Sequence, residues 1–201
     1  MKVIQYEAPG SIDAAVALLA DSEDGRVLAG GTDLLVQMRA GLRRPGLIVD
    51  VKKIAEMCSI EQRDGGFIVG AAASGAELGE HAALKAAWPG VVEGMELVGS
   101  TQIQGRASLG GNLCNGSPAA DSVPALIAGG AIAFIAGPSG RREAEVAAVV
   151  TGPGQISLAN GELVVAFKLP ARPAKSSDAY LRFIPRTEMD IAVVGVGVNL
   201  T

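Results

Sequence analysis

Two short stretches of this chain carry residues that could hold a charged ligand. The first is "LAGGTDLL", residues 28–35, and the second is "ASLGGNLCNGSPAAD", residues 107–121. Each sets a glycine pair, Gly30-Gly31 or Gly110-Gly111, beside small polar side chains. Glycine leaves its backbone N–H uncovered and reaches positive φ without steric penalty. Successive N–H groups at such a turn, running into a helix N-terminus, form a nest for an anion. Thr32 adds a hydroxyl donor to the first stretch, and Ser108 and Asn112 add hydroxyl and amide groups to the second. Asp33 would repel a phosphate if it pointed inward, so its place is the helix start, where the dipole favours a carboxylate. Two nests in one chain point to one ligand with two phosphates, the outline of a dinucleotide. Taken singly, each glycine pair also reads as a plain turn.

The standard phosphate motifs are missing. "GAAASGAE", residues 70–77, has the glycine spacing of a P-loop but no lysine. "GVGVNL", residues 195–200, starts like a dinucleotide fingerprint but lacks the third glycine and opens no helix.

The elements that must position these stretches follow from periodicity. "KVIQY" (2–6) alternates as a strand. A helix follows with Ser11 as N-cap, Asp13 in its first turn, and Ile12, Val16 and Leu19 on one face. "RVLA" is a short strand ended by Gly30-Gly31. A helix over 34–40 stops at Gly41, and "LIVDV" (47–51) is a buried strand. This β-α-β-α-β order predicts a small lobe on parallel strands, residues 1–56. The pattern then changes. Asp64-Gly65-Gly66 between strand-like runs predicts a hairpin. Helices are expected over 77–87, ending at Trp88-Pro89, over 91–98 and over 123–128, with a glycine-rich loop between the last two. "AIAFIA", "ELVVAFKL", "AYLRFI" and "IAVVGVGVNL" read as strands, and "GPSGRR" as a turn. Residues 57–201 are therefore expected to form a second α+β lobe, an antiparallel sheet with helices.

Composition narrows the function. Apolar residues make up 49% of the 201, enough for a sizeable core, and 3% aromatics leave Ala, Val, Leu and Ile to build it. A net charge of −4 argues against nucleic acid as a partner. Arg39, Arg43 and Arg44 form a basic cluster that fits a solvated surface or a subunit contact. The start lacks the apolar core of a signal peptide, and the longest uncharged stretch, 123–137, is too short to span a bilayer. The expectation is a cytoplasmic protein without a transmembrane segment. Two cysteines cannot supply the four ligands of an iron–sulfur cluster. His81, the one histidine, has no ligand partner nearby and reads as ordinary surface or core. Cys114 reads as a redox thiol or as a small buried residue, the latter favoured. Asp121 reads equally as a cap for the helix after it, and Arg182 and Arg186 as outward strand residues. Trp88 reads as packing.

"AGGTDLL" followed by "QIQGRASLGGNLCNGSPAADSVPAL" closely resembles the FAD-binding medium subunits of the xanthine dehydrogenase family, aerobic carbon monoxide dehydrogenases among them. The likeness continues through "YEAPGSIDAAVALLA", "GPGQISLANGELV" and "YLRFIPRTEMDIAVV". It implies a two-lobed α+β FAD-binding domain of the vanillyl-alcohol oxidase type. The pyrophosphate would lie on Ala29, Gly30, Gly31, Thr32 and Asp33 and on Ser108, Leu109, Gly110, Gly111 and Asn112. By the same likeness Asp121 would contact the cofactor and Val165 would line the flavin. Arg182 stands where many members carry a lysine near the flavin, keeping the charge but changing its shape and donors. Covalent attachment has no partner beside the first stretch, and Cys114 is the one candidate in the second, so FAD is expected to be non-covalent.

The molybdenum cofactor and [2Fe-2S] clusters would sit on a large and a small partner subunit, in a dimer of heterotrimers. Electrons would pass from the clusters through FAD to an external acceptor. No general acid or base is needed on this chain. Relatives continue into a C-terminal domain, which the end at Thr201 implies is absent here. Two rivals are a flavin-free scaffold subunit and a self-contained FAD oxidoreductase of the vanillyl-alcohol oxidase type. The second would need its own substrate lobe and catalytic bases.

Overall fold

The computed structural model describes residues 3–187 and 189–201. Its first part alternates strand and helix: β1 (Gln5–Glu7), α1 (Ile12–Ala20), β2 (Arg26–Leu28), α2 (Leu34–Arg39) and β3 (Leu47–Asp50). The three strands form a parallel sheet in the order β1-β3-β2. Ser11 caps α1, its Oγ accepting from the Ala14 N–H at 3.3 Å. The face predicted to be apolar is buried through Ile12, Ala15, Val16 and Leu19. The first strand is shorter than expected, and of its predicted residues Lys2 lies outside those described.

The rest of the chain adds α3 (Ala55–Cys58), β4 (Ile60–Arg63), β5 (Gly66–Gly70), α4 (Gly75–Glu80), α5 (Ala82–Ala87), α6 (Pro89–Glu96) and α7 (Thr101–Gln104). There follow α8 (Leu109–Asn115), α9 (Ser122–Ala128), β6 (Ile132–Gly137), β7 (Gly140–Glu145), β8 (Val150–Gly152), β9 (Gln155–Ile156), β10 (Leu163–Leu169), β11 (Ser177–Phe183) and β12 (Val194–Leu200). An antiparallel sheet runs β4-β5-β10-β6-β7. Its middle strand β10 is buried along nearly its whole length, which is why "LVVAFKL" shows no alternation. Asp64 and Gly65 both take positive φ, 51° and 76°, as a two-residue hairpin turn of the primed type requires. The architecture is α+β, and one continuous apolar core runs from Ile12 in α1 to Tyr180 in β11.

Two expectations change, and two further stretches gain detail. The glycine-rich stretch 107–121 is no loop: Ser108 caps a helix, and Gly116, at φ +64°, ends it. The helix expected over 77–87 is two helices. His81 closes α4 and opens α5, its Nδ1 accepting from the Leu84 N–H at 3.1 Å, so the lone histidine is a cap. "GPSGRR" is a tight turn that leads straight into β7. "GAAASGAE" is a strand end and a capping box, in which Ser74 and Glu77 satisfy each other's N–H groups.

The ribbon β11-β12 packs on α6 and α9. Its inner face holds Asp178, Tyr180 and the glycines of "GVGVNL". A Cβ on Gly195 would stand 2.3 Å from the Tyr180 hydroxyl, and one on Gly197 2.3 Å from the Pro124 carbonyl oxygen. These glycines serve close packing. Arg172 clasps the ribbon: it stacks on buried Trp88 at 4.6 Å, pairs with buried Asp178 and donates to the Ala87 carbonyl. The outer face leaves Leu181, Phe183, Val194, Val196, Val198 and Leu200 exposed. Gly197→Ala should push the ribbon off α9 and cost about 1–3 kcal/mol of stability. Thermal unfolding would read this as a lower midpoint, and an unchanged midpoint would mean that the ribbon is free to shift.

Candidate functional site

A cleft of about 510 Å³ opens between the turn after β2 and helix α8, with Leu163 and Val164 of β10 on its wall. That volume lies in the usual range for ligand clefts. Ala29, Gly30, Gly31, Thr32 and Asp33 line it from one side, and Ser108, Gly110, Gly111 and Asn112 from the other.

The first segment is shaped by two requirements. A Cβ on Gly30 would lie 1.8 Å from the Arg106 carbonyl oxygen, so this backbone presses directly on the one that leads into α8. Gly31 takes φ +83°, which turns the chain into α2. Among the described residues, no protein acceptor meets the N–H groups of Gly30, Gly31, Thr32 or Asp33. They are a row of unpaired donors on residues that line the cleft. Asp33 sits at the start of α2, as its charge required, and makes no side-chain cap. Burial raises its pKa.

Behind this segment lies a buried charge. Asp50 accepts from Lys52 Nζ at 2.6 Å and from the Tyr6 hydroxyl at 2.6 Å, and Lys52 also donates to the Ala29 carbonyl at 2.9 Å. Burial alone would raise the Asp50 pKa. The hydrogen bonds from Lys52 and Tyr6, with the Lys52 charge, outweigh it and hold the carboxyl below its ordinary value.

The second segment works differently. Gly110 donates its N–H to the Ala71 carbonyl at 3.0 Å, and Gly111 donates to Ser108 Oγ at 3.2 Å. The expected open nest is absent here because the helix and its cap consume these donors. A Cβ on Gly110 would strike Ala71 at 2.6 Å, whereas one on Gly111 would meet nothing closer than Ser108 Oγ at 3.3 Å. Gly110 thus serves packing and Gly111 leaves the cleft wall low. This side offers side chains. Asn112 Oδ1 accepts from the Ser122 N–H and hydroxyl, leaving its amide NH2 without a protein acceptor among the described residues.

Four residues expected at the cofactor do not line the cleft. Leu109 is fully buried as the first residue of α8. Val165 sits at a bulge in β10, which brings Leu163 and Val164 to the cleft instead. Asp121 accepts from the Tyr180 hydroxyl at 2.9 Å and from Arg182 at 3.1 Å. Arg182 also donates to the Leu97 carbonyl at 2.8 Å, so both are spent tying the ribbon to α9 and α6. Burial, then the Asp121 carboxylate, raises the Tyr180 pKa strongly, so the phenol stays a donor.

Residues not foreseen also line the cleft. Gln37 of α2 donates to Asn115 of α8 at 2.8 Å, a direct link across it, and Arg43 brings a guanidinium. Gln37 and Asn115 stand 78 residues apart, so no local spacing could reveal the pair. Arg43 was visible as part of a basic cluster but not as a cleft residue. Burial pushes the Cys114 thiol up to about 12, so it stays protonated near neutral pH.

The family model for the FAD-binding domain in molybdopterin dehydrogenases matches residues 2–172. The chain belongs to this family. Within it, the chain is 33% identical over 196 residues to the xanthine dehydrogenase FAD-binding subunit of Escherichia coli O157:H7, covering 96% of this chain and 67% of that protein. It is 29% identical to the carbon monoxide dehydrogenase medium chain of Hydrogenophaga pseudoflava, covering 96% and 68%. The fold superposes on a chain of the reconstituted CO dehydrogenase from Oligotropha carboxidovorans with a TM-score of 0.93 at 30% identity, covering 99% of this chain and 70% of that one. The family match stops at Arg172, the residue that clasps the ribbon.

FAD is a dianionic dinucleotide, and the donor set fits it: unpaired amides at Gly30–Asp33, the Thr32 hydroxyl, the Asn112 amide and the Arg43 guanidinium. Asp50→Asn tests the support beneath the first segment. Because the folded-state pKa is depressed, Asp50 stabilises fully above its ordinary value of 3.8, and that contribution is lost as pH falls through the folded value. Asp50→Asn should therefore be less stable than wild type at neutral pH and lose less on acidification below about pH 4. Unfolding free energy measured against pH checks this, and parallel acid limbs for the two proteins would contradict it.

Proposed function

We propose that this chain holds FAD non-covalently between its two glycine segments, so that electrons from iron–sulfur clusters on a partner chain leave through the flavin to an external acceptor. It is an oxidoreductase subunit of the molybdenum hydroxylase type, and hydroxylation of substrate belongs to another chain. The observation that carries the cofactor site is the row of unpaired backbone donors at Gly30–Asp33, which line one cleft together with Asn112. Amide donors fixed in place recognise a diphosphate without reorganising. Ser108 shapes the start of α8, and Gly111 keeps the cleft wall clear. Leu163 and Val164 give an apolar wall for a ring system. The inert Cys114 thiol supports non-covalent binding.

In this reading residues 1–56 and 57–201 act as two lobes that grip one ligand. Leu109, Asp121, Val165 and Arg182 support the cleft from behind. The partners would be a large subunit with the molybdenum cofactor and a small subunit with two [2Fe-2S] clusters, in a cytoplasmic dimer of heterotrimers. The exposed apolar face of β11-β12 supports work within a larger assembly, since such patches are usually covered. No helix among the described residues is long and apolar enough to cross a membrane.

Gly111→Asp tests the cofactor site. The new carboxylate lies in the first turn of α8, where an acid suits the helix, yet it faces the cleft. Titration of the chain with FAD, followed by flavin fluorescence, should show affinity reduced at least about tenfold, the equivalent of roughly 1.4 kcal/mol. The midpoint of thermal unfolding without FAD should change little. Equal affinity for FAD would remove the cleft from consideration.

A further inference from the structure

Asn112 faces the cleft, but another residue decides how it faces. Ser122 opens α9 and is fully buried. Its N–H donates to Asn112 Oδ1 at 3.2 Å and its hydroxyl donates to the same oxygen at 2.7 Å. A carboxamide can turn over and exchange its oxygen for its NH2. Here the backbone N–H can only donate, so the atom opposite it must accept. The hydroxyl adds the shorter bond to the same atom. With the oxygen held against α9, the NH2 end is left for the cleft.

Ser122 is itself fixed from two sides. Helix α6 approaches so closely that a Cβ on Gly94 would lie 2.9 Å from the Asp121 carbonyl oxygen and 3.1 Å from Ser122 Cα. The preceding Asp121 is pinned to the ribbon through Tyr180 and Arg182. Neither Ser122 nor its contact to Asn112 touches the cleft, since Ser122 does not line it.

We propose that Ser122 is a positioning residue that sets the Asn112 amide with its donor end toward the cofactor's phosphates. The inference rests on the FAD reading of the cleft. It predicts coupling: Ser122 matters to FAD only through Asn112.

The test is a double-mutant cycle on the dissociation constant of FAD for the full chain, read by flavin fluorescence. Ser122→Ala keeps the backbone N–H that selects the oxygen but removes the shorter bond that holds the amide still, and the loosened amide should weaken binding roughly fivefold. Asn112→Ala should weaken it as well, and the double variant should bind no worse than Asn112→Ala alone. Asn112→Asp keeps an oxygen for Ser122 but replaces the donor by a charge. It should preserve the thermal midpoint while losing more affinity than Asn112→Ala, which keeps the test open if the alanine variant folds poorly.

Wild-type affinity in Ser122→Ala would overturn the proposal, with Asn112 still a ligand. So would a fivefold loss that persists in the Asn112→Ala background, because Ser122 would then act through the fold at large. A wild-type chain that takes up no FAD would instead sink the functional reading, and the inference with it.

Discussion

The cleft exists because two backbones meet with no side chain between them. Gly30 lies against the Arg106 carbonyl so closely that any other residue would part the two segments. That contact sets the distance between the turn after β2 and the start of α8. Lys52 holds the same turn from the other side through the Ala29 carbonyl, and Asp50 and Tyr6 hold Lys52. The first segment is therefore gripped at Ala29 and Gly30, and the amides that follow are left without a protein acceptor among the described residues. The Gln37–Asn115 bond ties α2 to α8 farther along the cleft.

The two glycine pairs look alike in sequence and do different work. In the first, the backbone donors stay without a protein acceptor among the described residues, and Gly31 supplies the positive φ of the turn. In the second, the helix and its cap engage the Gly110 and Gly111 donors, and the Asn112 NH2 is left without a protein acceptor among the described residues. The lead glycine of each pair, Gly30 or Gly110, permits a backbone contact with another segment. An anion held between them would meet a rigid row of N–H groups on one face and an oriented amide on the other.

The parallel β-α-β part was legible because Ser11, the apolar face of α1 and the Gly30-Gly31 break are local signals, and they agree with the packing. The hairpin at Asp64-Gly65 was legible for the same reason. The stretch 107–121 was misread as a loop, since glycine and asparagine weigh against helix locally. Burial of Leu109 and Leu113 and the Ser108 cap override that preference. The roles of Asp121 and Arg182 were not legible either. Their partners lie on β11, at the end of α6 and on each other, between 59 and 85 residues away, and a buried ion pair has no local spacing. Val165 stands at a bulge in β10, which an all-apolar run does not announce, and Leu163 and Val164 line the cleft beside it.

The family places FAD on this fold, and the intact donor set weighs against a flavin-free scaffold. The most direct test of the cleft as the FAD site is amide hydrogen exchange of the chain with and without FAD, followed by mass spectrometry of its peptides. The account predicts slowed exchange at Gly30–Asp33, where unpaired N–H groups would gain acceptors. It predicts weaker protection across 108–115, where the donors are already engaged. FAD that binds while exchange at Gly30–Asp33 stays unchanged would contradict it.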